Sequence, residues 1–492
     1  MKIAFRPKLL DCLPGYNRAQ FGKDLASGIT VGVLALPLAM AFAIASGVSP
    51  TAGIWTAIVA GFLTAALGGS RVQIGGPTGA FIPIIYGIVA MHGFVNLLGA
   101  TMLAGFFLLA MGLARMGQLI RFIPVTVVIG FTNGIAVVIF LAQLKDFFGL
   151  QIDNLPAEFF LRIKTLAAYA HTVDLPTLGL ASACFVFLLS YNKLAQKIAI
   201  LRRAPGPLAV LVVGTLVSFL FELPVETIGS RFNGIPQEMP DFGLPALSIH
   251  DLGKLISPAI TIALLGAIES LLSARVADSQ IDDRHDPNQE LVAQGLSNIA
   301  APLFGGFAAT GAIARTTTNV KTGGRTPIAG IIHAIVLLGI VLLAAPLAAY
   351  VPLATLSAIV MVVAINMGEW HEFAELKRYS YNYRIILLST FLVTVLFDLT
   401  IAVELGMVLA SLFFIYRMSE LTKIERLPMD EEAHDPRFMY PDGTMRVATW
   451  QMFGSLFFGA VNKLEELLDP REGHPGIYPA RLSDSLAQPV GT

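Results

Sequence analysis

Long apolar runs, separated by short polar or basic loops, dominate the chain. Five runs approach or exceed the ~20 residues that a helix needs to cross ~30 Å of hydrocarbon, and they lie near 29–46, 97–114, 123–144, 328–350 and 399–416. Other runs, such as 79–91, are too short to cross alone. The pattern therefore predicts an all-α polytopic membrane protein.

We predict fourteen transmembrane segments in two sets of seven, the first in 25–221 and the second in 257–417, joined by an extracytoplasmic connection at 222–256. The segments lie near 25–46, 52–68, 77–91, 96–116, 124–146, 176–192, 207–221, 257–276, 290–305, 311–320, 327–350, 352–367, 384–397 and 399–417. An odd number per half makes the second half enter the membrane in the opposite sense, so the two repeats are inverted.

The flanking regions complete the predicted domain order. Residues 1–24 carry five basic residues and no apolar run of the kind a signal peptide has, so they form a cytoplasmic tail. Fourteen basic residues fall in even-numbered loops and five in odd-numbered ones, which places both termini in the cytoplasm and the protein in the inner membrane. A linker at 418–445 and a last region at 446–492 follow.

Two short, glycine-broken segments repeat at an offset of 232 residues, where Pro77 to Phe81 is echoed by Ala309 to Ile313. Irregular backbone at membrane depth is tolerated only where it is buried or lines a wet cavity. We therefore predict that 73–76 and 304–307 run extended to mid-membrane, and that the threonine of each echo is the N-cap of a half-helix. Each half-helix N-terminus brings roughly +0.5 elementary charge to one central point.

Arg315 is the one residue of 33 Lys and Arg that cannot be placed in a tail or a short loop. An arginine near mid-membrane costs from about 3 to above 10 kcal/mol, and helical side chains lean toward the helix N-terminus, so Arg315 is aimed at the central point. A structural pairing or snorkelling to the membrane edge is the alternative. The predicted substrate-binding residues are Leu38, Ala39, Gly76, Pro77, Thr78, Gly79, Ala80, Phe81, Thr310, Gly311, Ala312, Ile313 and Arg315.

Glu269 lies in the apolar run 260–272, and Ser273 follows one turn later on the same face. A carboxyl group in apolar surroundings can take up a proton from water, so we predict that both residues form the coupling-ion site. A sodium site and a glutamate that only fixes helix packing are the alternatives. Asp398 and Glu404, in the last two segments, are predicted to serve packing or dimer contact.

Five motifs resemble those of the SulP (sulfate permease) family of anion transporters, to which pendrin and prestin belong. They are Gly32 to Ala43, Gly75 to Ala80, Ala267 to Leu272, Asp286 to Leu291, and Thr310 to Arg315 with Gly323 to Thr326. The resemblance covers roughly 15–470 and implies a core and a gate domain, a homodimer and a cytoplasmic STAS domain. Sodium-coupled bicarbonate transporters of the family have aspartate and a hydroxyl where this chain has Glu269 and Ser273, and the glutamate favours protons instead.

The chain departs from the family pattern at Leu38, where many relatives are polar, and in its last region. Residues 446–469 resemble the opening strand, turn and helix of a STAS domain, whereas 470–492 have no run that predicts further strands. We therefore expect a short, incomplete α/β STAS-like piece.

Composition narrows the function. The chain is 55% hydrophobic and 14% charged, against about 25% charged in soluble domains, and its scattered basic residues and net charge of −1 exclude a nucleic-acid partner. No nucleotide-binding or nucleophile-elbow motif is present, and His371-Glu372 lacks the second histidine of a zinc helix, so we predict no enzyme, cofactor or metal.

The charges predict the transported solute. Two half-helix N-termini and Arg315 sum to about +2, and protonation of Glu269 would favour binding of a dianion. The alkyl lining at Leu38, Ala39, Phe81 and Ala312 favours an organic one. We predict proton-coupled symport of a dicarboxylate such as fumarate by alternating access. Sulfate or bicarbonate transport, a uracil-type permease, and a channel or voltage-responsive protein are the alternatives.

Overall fold

The computed structural model describes a defined part of the chain: residues 5–118, 124–153, 155–197, 205–237, 240, 242–246, 249–397, 401, 405–406, 408–409, 411–413, 423–426 and 450–453. Two compact units divide it, residues 1–406 and 407–492. Asp398, Glu404 and the glycine-flanked turn at 454–459 lie outside the described residues.

Sixteen helices have defined bounds within the described residues of the first unit: α1 (Lys8–Cys12), α2 (Arg18–Ala45), α3 (Pro50–Leu67), α4 (Ile82–Leu113), α5 (Val125–Phe148), α6 (Phe159–Ala168), α7 (Leu175–Lys197), α8 (Gly206–Leu220), α9 (Ile228–Phe232), α10 (Ile249–Ile281), α11 (Pro287–Ala300), α12 (Ile313–Lys321), α13 (Pro327–Ala348), α14 (Leu353–Met367), α15 (Trp370–Ala374) and α16 (Tyr381–Leu396). The strands are β1 (Gly75–Gly76), β2 (Thr310–Gly311), β3 (Lys423–Arg426) and β4 (Trp450–Phe453). Short 3-10 turns occupy Gly79–Phe81, Ala170–Thr172, Ala301–Phe304 and Leu376–Arg378.

Six of the described helices are long and apolar enough to cross a membrane: α2, α3, α4 with the turn before it, α5, α10 and α13. Four more apolar stretches are shorter: Leu175–Tyr191 in α7, and the helices α8, α14 and α16. The first thirteen predicted segments all fall on helices, and the last, 399–417, lies mostly outside the described residues. The protein is a mostly helical, polytopic membrane protein, as predicted.

The predicted third and fourth segments, 77–91 and 96–116, are separated as expected, because non-helical backbone at Gly93 (φ 81°, ψ 171°) divides α4 into two helices. One local prediction was wrong. The second extended stretch begins later than 304–307, because Ala301–Phe304 continues as a 3-10 turn that ends at Gly305 in a left-handed conformation (φ 68°). The strand is therefore Thr310–Gly311.

The helices pack in two groups. In the first, α13 lies against α2 and α3, α4 lies against α10 and α11, and α12 lies against α2 and α10; we call α2–α4 and α10–α13 the core helices. In the second, α5 lies against α14 and α16, and α7 lies against α8 and α14; we call α5, α7, α8, α14 and α16 the gate helices. Small residues allow the closest approaches. A Cβ added at Gly105 would lie 2.8 Å from the Gly295 carbonyl, so α4 and α11 touch backbone to backbone.

The described part of the predicted N-terminal tail is bound to the core helices. The Lys8 amide donates to the Gly68 carbonyl (2.9 Å). At the start of α2, the fully buried Asp24 carboxylate accepts hydrogen bonds from the Arg325 amide (2.9 Å) and from the Thr326 hydroxyl (2.6 Å). Asp24 thereby holds the N-terminus of α13, where a negative charge is favourable.

The second unit contains one described element pair. Strand β3 pairs with β4 in antiparallel register, Lys423 opposite Phe453 and Arg426 opposite Trp450. Strand β3 lies in the stretch predicted as a linker, and β4 lies in the predicted STAS-like region.

Candidate functional site

The two glycine-broken segments meet at one point. Strands β1 and β2 pair antiparallel, with Gly75 opposite Gly311 and Gly76 opposite Thr310. Directly after β1, the 3-10 turn Gly79–Phe81 leads into α4, and directly after β2 the chain enters α12. This pairing of β1 with β2, which we call the crossing, brings the N-termini of two half-helices together from opposite halves of the chain, and such N-termini are favourable for an anion.

Helix α12 satisfies the backbone of the extended segment 72–77. Its face supplies four hydrogen bonds: Ala312 N to Ile74 O (2.9 Å), Ile74 N to Thr316 Oγ1 (3.0 Å), Asn319 Nδ2 to Val72 O (2.8 Å) and Arg315 Nη2 to Pro77 O. Unpaired backbone groups are costly in apolar surroundings, so these bonds make the extended segment tolerable at membrane depth.

Arg315 closes the crossing. Only 1% of the residue is exposed, and Nη2 donates to the Pro77 carbonyl. Nη1 has no hydrogen-bond partner among the described residues, and a Cβ added at Gly76 would lie 2.6 Å from it. The guanidinium thus points at the meeting point of the half-helices. Its charge acts there from a buried position.

Neither threonine caps its half-helix through its side chain, contrary to the prediction. Thr78 occupies the N-cap position of the 3-10 turn, but its hydroxyl donates to Glu269 Oε2 (2.9 Å). Thr310 lies in β2, where its hydroxyl donates to the Gly266 carbonyl (2.9 Å), and Ala312 is the N-cap residue of α12. The hydroxyls instead connect both broken segments to α10.

The two predicted coupling residues have different surroundings. Glu269 is partly exposed and contacts Thr78 at the start of the first half-helix. Ser273 is fully buried, and its hydroxyl donates to Thr316 Oγ1 (3.4 Å). The structure therefore brings Glu269 to the site and directs the Ser273 hydroxyl to α12.

The other predicted lining residues separate by exposure. Leu38, Ala39, Ala80 and Phe81 are all buried. Ala39 lies where α2 crosses α3, since a Cβ built at Gly53 would overlap the Ala39 carbonyl at 2.1 Å. The Phe81 ring is turned toward α10 and lies 3.5 Å from a Cβ built at Gly266. Ile313 is 38% exposed and leaves the start of α12 open.

Three residues that the sequence did not single out surround Gly79. A Cβ built there would lie 3.6 Å from Met367 Sδ, 3.7 Å from Ile139 Cδ1 and 3.8 Å from Phe42 Cε1. Apolar residues in apolar helices carry no distinguishing pattern, so only their positions in the structure reveal them.

A buried carboxylate, Glu290 on α11, was also missed. Five groups donate to it: Gln73 Nε2 (2.9 Å), Gln294 Nε2 (3.1 Å) and Ser270 Oγ (3.2 Å) to Oε1, and the amides of Gly69 (3.0 Å) and Ser70 (3.2 Å) to Oε2. The Gln73 amide lies flat against β2, where a Cβ on Gly311 would overlap its nitrogen at 2.1 Å. Glu290 thus holds the side chain that supports the crossing.

The chain is a helical membrane protein, and two broken helices and a buried arginine converge in it. These features are typical of one class of protein, the transporters of small anions with a core-and-gate fold. The chain belongs to the Sulfate permease family, whose sequence pattern matches residues 21–390. The family consists of transporters and not of enzymes.

Curated relatives include transporters for two kinds of anion. "Putative sulfate transporter YvdB" of Bacillus subtilis (strain 168) is 44% identical over 456 residues, which are 92% of this chain and 84% of that protein. "Bicarbonate transporter BicA" of Picosynechococcus sp. (strain ATCC 27264 / PCC 7002 / PR-6) is 31% identical over 90% of this chain and 79% of its own length.

Solved structures share the fold. The transmembrane domain of a cyanobacterium bicarbonate transporter BicA aligns with a TM-score of 0.72 at 33% identity, over 79% of this chain and 98% of that one. The murine anion transporter Slc26a9 in the inward-facing state aligns with a TM-score of 0.82 over 97% of this chain and 83% of that one. Its identity of 18% supports the fold alone.

Proposed function

We propose that this chain is a secondary active transporter that carries a small anion across the inner membrane by alternating access, with Glu269 as the group that loads a coupling proton. The observation that supports this most directly is the hydrogen bond from Thr78 to Glu269. It joins a carboxyl group, which can be protonated, to the N-terminus where an anion would bind.

The bond supplies a physical mechanism for coupling. An ionised Glu269 holds the Thr78 hydroxyl proton and adds a negative charge beside the half-helix. Protonation removes that charge and frees the Thr78 hydroxyl to donate to the anion instead. Proton uptake and anion binding therefore favour each other, and each raises the affinity for the other by the same factor.

The inverted repeat of seven segments per half forms part of this proposal. The helix packing supports it, because each contact has a counterpart in which the helices of the two halves are swapped. The contact of α2 with α13 corresponds to that of α10 with α4, and the contact of α3 with α13 corresponds to that of α11 with α4. We expect the core helices to move as one body against the gate helices. Cytoplasmic termini remain a prediction from the basic residues of the loops, and a homodimer remains what the family resemblance implies.

Two substrate classes compete. The apolar surroundings of Gly79 and the exposed Ile313 at the start of α12 favour a dicarboxylate with an apolar middle. The relatives, a putative sulfate transporter and a bicarbonate transporter, favour sulfate or bicarbonate. Both classes use the same positive site, and we propose the dicarboxylate first.

Uptake by purified protein in liposomes tests both parts. Fumarate, succinate, sulfate and bicarbonate are each offered under an inward proton gradient, an inward sodium gradient or neither. We expect the proton gradient to accelerate uptake, and Glu269→Gln to remove that acceleration. Glu375→Gln, at an exposed carboxylate paired with Arg378, is the control. Acceleration by sodium alone, or a proton effect that persists in Glu269→Gln, would refute the proposed coupling.

A further inference from the structure

Three apolar side chains close over the start of the first half-helix. Met367 Sδ, Ile139 Cδ1 and Phe42 Cε1 all lie within 3.6–3.8 Å of the position that a Cβ on Gly79 would occupy. Ile139 is 1% exposed and Phe42 is 5% exposed, whereas Met367 is partly exposed at the end of α14. Phe42 belongs to a core helix, whereas Ile139 and Met367 belong to gate helices α5 and α14.

The two gate residues occupy equivalent positions in the two halves. Helix α5 begins after the N-cap Pro124 (φ −64°, ψ 136°), and α14 begins after the N-cap Pro352 (φ −71°, ψ 138°). Ile139 and Met367 both lie 15 residues beyond these prolines. Under the inverted repeat, which relates α5 to α14, Ile139 and Met367 are therefore equivalent residues.

The second half-helix is not covered in this way. Ile313 and Ala314, in the first turn of α12, are both exposed, whereas Phe81 and Ile82, at the equivalent positions of the first half-helix, are buried. The structure thus shows a conformation in which the gate pair lies against one half-helix and leaves the other open.

We propose that Ile139 and Met367 form an apolar barrier that seals the transport site beside Gly79, and that the same pair seals it beside Ala312 after the core has moved. The equivalence of the two residues lets one barrier serve both sides of the membrane. Because the gap left at Gly79 is about one methyl group wide, the pair also limits the length of the anion that the site can enclose. This inference rests on the alternating access proposed above and is independent of the coupling ion.

Trimming the barrier tests the size limit. Uptake of succinate and of the longer adipate is measured for the wild type, Ile139→Ala, Met367→Ala and the double variant, with Leu343→Ala as the control because Leu343 is 85% exposed on α13. We expect each trimmed variant to raise the adipate-to-succinate uptake ratio on the order of 10-fold, which is the lower end of the selectivity that one methylene group provides. Ile139→Met keeps the volume and should keep the wild-type ratio.

The outcomes separate the two proposals. An unchanged ratio in all trimmed variants, while the wild type transports succinate, would overturn the barrier. A wild type that carries sulfate or bicarbonate but no dicarboxylate would overturn the size limit, and absence of uptake of all these anions would instead overturn the proposed transport function. Folding is checked by a single symmetric peak in size-exclusion chromatography.

Crosslinking tests the exchange between sides. Cys12 and Cys184, the free cysteines in the described part of the chain, are first replaced by serine. Gly79→Cys with Met367→Cys should crosslink through a short bifunctional reagent, and so should Ala312→Cys with Ile139→Cys, and each crosslink should block uptake. Crosslinking of the first pair without any crosslinking of the second, in protein that transports, would overturn the two-sided barrier.

Discussion

At Gly76, the addition of a single methyl group should strongly perturb both the stability of the protein and the transport site. Its φ of 148° lies in a region that residues with a Cβ rarely adopt, and a Cβ there would lie 2.6 Å from Arg315 Nη1 and 3.2 Å from Cζ. Gly76→Ala therefore strains the backbone of β1 and pushes the guanidinium away from the Pro77 carbonyl.

Both effects have known sizes. A sparsely populated backbone conformation costs about 1–3 kcal/mol. A buried hydrogen bond from a charged donor contributes about 1.5–3 kcal/mol. Gly76→Ala should thus lower the free energy of unfolding by about 2.5–6 kcal/mol, a large share of the ~5–15 kcal/mol typical of folded proteins. Uptake should fall at least about tenfold, since a displacement worth 1.4 kcal/mol at the site already has that effect.

Thermal unfolding in detergent and anion uptake in liposomes measure the two effects separately. Gly87→Ala on α4 is the matched control, because nothing lies within 4 Å of the added Cβ. Adding Arg315→Met to Gly76→Ala removes the clash, so stability should partly return while uptake stays low. If Gly76→Ala unfolds and transports like Gly87→Ala, the described packing of Arg315 on β1 is wrong.

Two further substitutions test separate contacts. Thr78→Ala should lower uptake and weaken the dependence of uptake on the proton gradient, because the hydrogen bond to Glu269 is lost. Thr78→Ser keeps the hydroxyl and should retain the wild-type uptake and its proton dependence. Equal uptake kinetics in the two variants would contradict the coupling role of the hydroxyl. Asp24→Ala should lower the free energy of unfolding by about 2–5 kcal/mol, since it leaves the Arg325 amide and the Thr326 hydroxyl without their acceptor, and the exposed Asp11→Ala is the control. A thermal midpoint for Asp24→Ala equal to that of Asp11→Ala would show that the α13 N-terminus needs no such partner.

The helices and the crossing could be predicted because their signals are local. A run of apolar residues has few alternatives to a membrane helix, and a glycine-broken repeat at fixed offset marks irregular backbone. Arg315 stood out for the same reason, since a charge in an apolar stretch has to be explained.

The details of the site depend on partners that are distant in sequence. Thr78 and Thr310 have residue types that cap helices, yet each hydroxyl bonds α10 instead, 191 and 44 residues away. Glu290 lies at the start of a predicted segment, where an acid looks like part of a polar loop, but five donors from three regions surround it. Ile139 and Met367 differ from their apolar neighbours only in what they face.

The bonds between α12 and the segment 72–77 bear on how the chain is made. Three backbone groups of this segment have partners far along the sequence. The Val72 carbonyl, the Pro77 carbonyl and the Ile74 amide bond to side chains that lie 247, 238 and 242 residues later, respectively. At about 5–20 residues per second, ribosomal synthesis delivers those partners roughly 12–50 seconds afterwards. These backbone groups therefore lack their partners until the second half of the chain has been synthesised, and the contacts between the two broken segments can form only then.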